Sequence, residues 1–169
     1  MTPGTRAWTM RPITAADDAA VAHVIRTVMP EFACDGPGFA IHDAEVGAMS
    51  AAYPGGDARY YVIELDGRVQ GGGGFARLLG SEDPSVCELR KMYFLPPLRG
   101  LGAGRALLGR LLAEMREAGY RHAYLETTEQ MRAAQALYRA FGFAPLCGPL
   151  GATGHTGCDR FYIRDLHRD

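Results

Sequence analysis

The spacing of apolar residues changes along the 169-residue chain, from helical to alternating, and then to helical stretches interleaved with short strands. The first eight residues are polar and punctuated by Gly and Pro, which predicts disorder over 1–8. A short strand is expected over 9–13. Thr14 then caps a helix, with Asp17 three residues on as a weaker relative of the capping box. Val21, Val24, Ile25 and Val28 form its apolar stripe, and Pro30 ends it. A loop rich in Gly and Pro over 34–38 leads to a second helical stretch over 43–53, closed by Pro54-Gly55-Gly56.

The middle of the chain reads as antiparallel sheet. RYYVIEL and RVQGGGGFARLL flank Asp66-Gly67, a two-residue hairpin signal. Four consecutive glycines, Gly71 to Gly74, are unusual inside a strand and point to a bulge, or to close approach of a ligand or another backbone. After a polar loop over 80–84, VCELRKMYFL alternates as a third strand. The order then becomes strand, helix, strand, helix. Leu107, Leu108, Leu111, Leu112 and Met115 share one face of a helix over 103–118, stopped by Gly119. A strand over 123–127 precedes a helix marked by Met131, Ala134, Leu137, Tyr138 and Phe141, and Gly142 stops it. Strands over 143–147 and 158–166 flank a last Gly-rich loop. With no internal repeat or linker, the expectation is one α+β domain over 1–169.

Composition narrows the classes. The chain is 47% hydrophobic and 22% charged, an ordinary soluble balance. No apolar run approaches the ~20 residues that span a bilayer, and no apolar stretch follows the N-terminal positive residue as in a secretory signal. The net charge of −1 and scattered basic residues argue against a nucleic-acid partner. Four cysteines, Cys34, Cys87, Cys147 and Cys158, are far apart and form no CxxC pair. That disfavours a zinc site or a disulfide scaffold, and a cytoplasmic protein without metal is expected.

The strongest chemical signal is Arg99-Gly100-Leu101-Gly102-Ala103-Gly104, between a strand and an amphipathic helix. Glycines there let successive N–H groups turn toward one point, and the helix adds its unpaired donors and positive dipole end. This suits a phosphate or pyrophosphate, with Arg99 and Arg105 adding charge at the rim. A P-loop would need Lys-Ser/Thr after Gly104, and a dinucleotide fingerprint would need its third glycine one residue later. The alternative is a tight strand-to-helix connection and nothing more.

The segment from Val86 to Pro145, with its RGLGAG loop followed by AAQALYRAFGF, resembles the core of the GNAT acetyltransferase superfamily. The superfamily's signature [Q/R]xxGx[G/A] falls on Arg99, Gly102 and Gly104. The resemblance implies a mixed central sheet of about seven strands with four helices and a splayed strand pair that binds acyl-CoA. It implies acetyl-CoA as cosubstrate, with the backbone of Met92, Tyr93 and Phe94 pairing the pantetheine arm. The amides of Gly100, Leu101, Gly102, Ala103, Gly104 and Arg105 would hold the pyrophosphate. Where the superfamily often has Asn seven residues before the helix tyrosine, this chain has Met131, so that side-chain contact is not expected. A homodimer through sheet edges is also in keeping with the resemblance.

Acyl transfer to an amine needs a free amine, a stabilised oxyanion and a proton for the departing thiolate. By the resemblance Tyr138 is the acid; its other reading is a member of the helix's buried face with Leu137 and Phe141. Glu88 matches a general-base position, or else is a strand charge paired with Arg90. Glu126 is the reserve base, or orders the splayed sheet. The oxyanion falls to the backbone N–H of Phe94 or Met92. In the loop over 151–159, Thr153 and His155 are candidates for the acceptor pocket, with Arg77 a weaker one. The expected reaction is direct transfer to the amino group of a small molecule, such as a free amino acid. A protein or peptide acetyltransferase and a non-catalytic acyl-CoA sensor are the rivals.

Overall fold

Alternation in the central third sends neighbouring residues to opposite faces of a sheet, and here both faces are covered. Tyr61, Ile63 and Leu65 join one apolar cluster, with Leu107, Leu108 and Leu111. Tyr60 and Val62 join another, with Val21, Ile25 and Met29. The computed structural model describes residues 7–168. Its elements are β1 (Trp8–Pro12), α1 (Asp18–Glu31), α2 (Met49–Ala52), β2 (Arg59–Leu65), β3 (Arg68–Arg77) and β4 (Val86–Phe94). Then follow α3 (Ala103–Glu117), β5 (His122–Thr127), α4 (Arg132–Ala140), β6 (Ala144–Leu146) and β7 (Arg160–Asp165).

The seven strands lie in the order β1-β2-β3-β4-β5-β7-β6. Every neighbouring pair is antiparallel except β4 and β5, which α3 connects as a parallel crossover. That parallel pairing is brief. It holds only Val86 to His122, Cys87 to Ala123 and Glu88 to Tyr124. Beyond Glu88 the two strands part, leaving the β5-facing edge of β4 open through Phe94.

Two expectations are corrected. Residues 1–6 of the stretch expected to be disordered lie outside the described residues, but Trp8 begins β1, and its indole Nε1 donates to Leu101 O at 3.0 Å. The single helix expected over 43–53 is instead a 3-10 turn, Ala44–Gly47, followed by the one-turn helix α2, and a second 3-10 turn, Ala40–His42, precedes them. Asp43 is extended, with φ −62° and ψ 137°, and its carboxylate is held by Lys91 and His155. Those tertiary bonds outweigh local helix propensity. The Thr14 prediction is met by a turn that opens α1, where the Asp17 carboxylate accepts from Thr14 N at 2.8 Å and from Thr14 Oγ1 at 3.0 Å.

Candidate active site

The site begins with the glycine run. The register of β3 against β4 shifts between Gly72 and Gly74, so that Lys91 and Met92 on β4 face the single residue Gly73. The bulge is therefore on β4, opposite the glycines, and Lys91 adopts φ +48°. What the glycines provide is room. A Cβ on Gly72 or Gly74 would lie 2.7 or 2.6 Å from the Tyr60 ring, so that ring rests directly on bare backbone. The buried Tyr60 hydroxyl then donates to Lys91 O at 2.8 Å and fixes the left-handed residue. A bulge bends its strand, and this one turns β4 away from β5 just past their last paired residues.

The wedge between the strands opens into a cleft of about 410 Å³. Met92, Tyr93 and Phe94 line one wall, Leu125 to Thr127 the other, and Gly100, Gly102, Ala103 and Gly104 close one end. Gly102 is the N-cap of α3 with φ +80°, a conformation that leaves the first amides of the helix unobstructed. Arg99 also lines the cleft. Its Nε donates to Phe94 O at 2.9 Å and its Nη2 to Glu31 of α1 at 2.8 Å, spanning the mouth. Leu101 and Arg105 turn elsewhere: Leu101 packs against the core, and the Arg105 guanidinium lies 5.3 Å from the Phe141 ring centroid. Tyr138 lines the cleft, with no side-chain hydrogen bond among the described residues. Burial raises its phenol to about 12. Met131 lines the same cleft, its sulfur 3.4 Å from Thr127 Oγ1.

Past Leu89, Tyr93 and Met131 the cleft narrows to a neck of about 50 Å³, which the carboxylates of Glu88 and Glu126 also border. On the far side it widens into a vestibule of about 330 Å³. Glu88, Arg90, Lys91 and His155 line both neck and vestibule. Glu88 is 4% exposed; its Oε1 accepts from Arg90 Nε at 3.0 Å, while its Oε2 is buried without a partner. Desolvation raises the Glu88 carboxyl above the usual range against the opposing pull of Arg90. Glu126, by contrast, is satisfied on both oxygens, by Tyr124 Oη and Thr153 Oγ1, each at 2.8 Å.

The vestibule is roofed by two loops distant in sequence. His155 Nε2 lies 3.0 Å from Asp43 Oδ2, and Nδ1 lies 3.7 Å from Glu126. Lys91 Nζ donates to Asp43 at 2.7 Å and also to Glu45, which in turn accepts from Tyr53 Oη. Gly157 N donates to Gly38 O at 3.0 Å where the loops touch. Arg77 is not brought to this site; it is exposed at the end of β3 and contributes only its carbonyl, which accepts from Arg90 Nη2. Among the described residues no group of three or more His, Cys, Asp or Glu is placed to hold a metal ion. No described helix is long and apolar enough to cross a membrane.

This cleft, with its splayed strands and helix-mouth glycines, lies largely within residues 26–143, which match the model of the Acetyltransferase (GNAT) family. The chain is a GNAT acetyltransferase. It is 40% identical over 158 residues to the uncharacterized N-acetyltransferase YjgM of Escherichia coli, covering 93% of this chain and 94% of that one. It is 37% identical over 110 residues to an IAA acetyltransferase of Azospirillum brasilense, covering 65% of this chain and 69% of that one. The fold is that of the acetyltransferase yncA of Salmonella typhimurium, solved with acetyl-CoA, at TM-score 0.75, 22% identity and 96% coverage of each chain. A Staphylococcus aureus GNAT acetyltransferase superposes at TM-score 0.80, with 21% identity over 95% of this chain and 99% of that one.

Several site residues of this acetyltransferase carry no sequence signal of their own. Asp43 and Glu45 fall in the stretch expected as helix, Lys91 in the third sheet strand, and Tyr60 in the first strand of the hairpin. Only the four glycines hinted at what Tyr60 and Lys91 do.

Proposed function

We propose that this acetyltransferase moves the acetyl group of acetyl-CoA directly to the amino group of a small molecule, a free amino acid or a similar amine. The observation that carries the reading is the buried, unpartnered Glu88 Oε2 at the neck between the two openings. A buried carboxylate oxygen without a donor is costly, and an ammonium group supplies the missing one.

The coenzyme's pyrophosphate would sit on the amides at Gly102 to Gly104, its pantetheine along the open edge of Met92 to Phe94, and its thioester toward the neck. Glu88 takes a proton from the acceptor ammonium, its raised pKa bringing it closer to the working pH. The amine nitrogen bonds to the thioester carbon, and a β4 backbone N–H next to the bulge, at Met92 or Phe94, holds the oxyanion. As the C–S bond breaks, Tyr138 gives its proton to the thiolate, and solvent re-protonates it. The second nitrogen proton leaves to solvent. Burial keeps Tyr138 protonated at neutral pH, the state a donor requires. A thiol-linked intermediate is disfavoured, since burial pushes Cys158 and Cys87 up to about 12. The roof over the vestibule favours a small acceptor over a polypeptide.

Thiol release from acetyl-CoA, measured against amino acids, polyamines, aminoglycosides and short peptides, tests this. Wild type should turn over at least one small amine. Tyr138→Phe should lose about 10²-fold in kcat, and Glu88→Gln about 10²- to 10³-fold in kcat/KM, the range for losing an acid or a base. Turnover confined to peptides would overturn the reading.

A further inference from the structure

The vestibule lining is mostly charged, and among the described residues it includes one large apolar side chain, Leu79. Among the described residues only two large hydrophobic side chains are exposed, Leu79 at 58% and Leu150 at 36%. Leu79 lines the vestibule together with Glu88, Arg90 and His155. A lone exposed leucine needs no explanation, but these two sit on adjoining, tightly held chains.

The Leu79 segment is pinned by Ala152 N, which donates to Leu79 O at 2.7 Å. Gly80 and Gly151 allow that approach: a Cβ on Gly80 would lie 2.6 Å from Ala152 Cβ, and one on Gly151 2.4 Å from Leu79 O. Both glycines have positive φ, +73° and +65°. The Leu150 segment is tied to the site itself, since Leu150 N donates to Tyr124 Oη at 3.1 Å and Tyr124 Oη donates to Glu126. These bonds hold Leu79, the exposed apolar side chain on the vestibule's rim, in fixed register with the carboxylates beside it, while Leu150 lies outside the lining.

We propose that this rim reads the acceptor: the substrate is an amine with an apolar side chain, held with its ammonium at Glu88 and that side chain on Leu79. The inference rests on the amine-acetylation reading above and names the acceptor class for it. Arg90, Lys91 and His155 are each engaged by carboxylates within the wall, and so are poor partners for an acidic side chain. An apolar group on Leu79 displaces water from a surface that otherwise stays wetted.

The test is kcat/KM for thiol release with glycine, alanine, leucine, phenylalanine, glutamate and lysine, using wild type, Leu79→Ala and Leu79→Asp. Wild type should favour leucine or phenylalanine over glycine, glutamate and lysine. The leucine-to-glycine ratio should fall about tenfold in Leu79→Ala, the size of a lost apolar contact in a pocket, and further in Leu79→Asp. A flat series, a preference for glutamate or lysine, or an unchanged ratio in the variants would overturn the assignment. If no acceptor releases thiol, calorimetric titration of leucine and glycine into the enzyme saturated with coenzyme A decides the matter separately. Leucine binding that weakens in Leu79→Ala keeps the apolar rim while the transfer reading fails, and absence of binding by either amino acid overturns both.

Discussion

At the scale of single residues, the chemistry turns on which polar atoms are left over. Glu88 and Glu126 are both carboxylates at the neck, but only Glu88 has a buried oxygen free. The base role proposed for Glu88 requires it ionised, and desolvation raises its pKa above the ordinary 4.5. Activity should therefore fall as pH drops through that raised value, so the acid limb of kcat/KM lies above the usual carboxylate range. Glu88→Gln should abolish this limb along with most of the rate, which a pH–rate profile of both proteins would show. Tyr60 acts one step further back. Tyr60→Phe removes the hydroxyl that fixes Lys91 O, leaving that carbonyl short of a donor. We expect a stability loss of about 1–3 kcal/mol in chemical denaturation, with kcat reduced more than the KM for acetyl-CoA. Glu88 and Tyr138 stand out in the sequence by residue type and position, and the structure places Glu88 at the neck and Tyr138 on the cleft. Tyr60 and Lys91 do not stand out, because a lysine at positive φ leaves no mark on the sequence, and the hydrogen bond spans 31 positions.

At the scale of elements, the hairpin, the strand–helix–strand–helix order of the later chain and both its helices follow from periodicity, since burial on one face writes itself into the spacing. The stretch over 43–53 failed for the converse reason: its conformation is set by bonds to Lys91 and His155 that lie far off in the chain. The glycine strand makes a sharp prediction. A Cβ at Gly74 would stand 2.3 Å from Arg59 O, a backbone atom that cannot swing aside. Gly74→Ala should destabilise by about 1–3 kcal/mol or more, seen as a lower denaturation midpoint, because overpacking here displaces the sheet itself. The roof titrates. The hydrogen bond to Asp43 raises His155 above its ordinary 6.5. Its contribution to stability is full below 6.5 and is lost as pH rises through the raised value. His155→Ala should accordingly lower the Tm more at pH 6 than at pH 9.

At the scale of the whole molecule, the two larger openings share one lining residue, Lys91, and the narrow neck is bordered by residues of both. This layout was not legible in the sequence, which marked one end of the cleft through its glycines but gave no sign of how the late loop folds over the early one. Its consequence is kinetic. With coenzyme in the cleft and amine in the vestibule, as proposed, each would leave the other's entrance clear, and the expected kinetics is a random order of arrival and departure. Initial rates plotted in double-reciprocal form should give lines that intersect, never parallel ones. Desulfo-coenzyme A should compete with acetyl-CoA while remaining noncompetitive toward the amine, and an unreactive analogue of the amine should show the mirror pattern. Two doors on one room make the order of entry a matter of concentration.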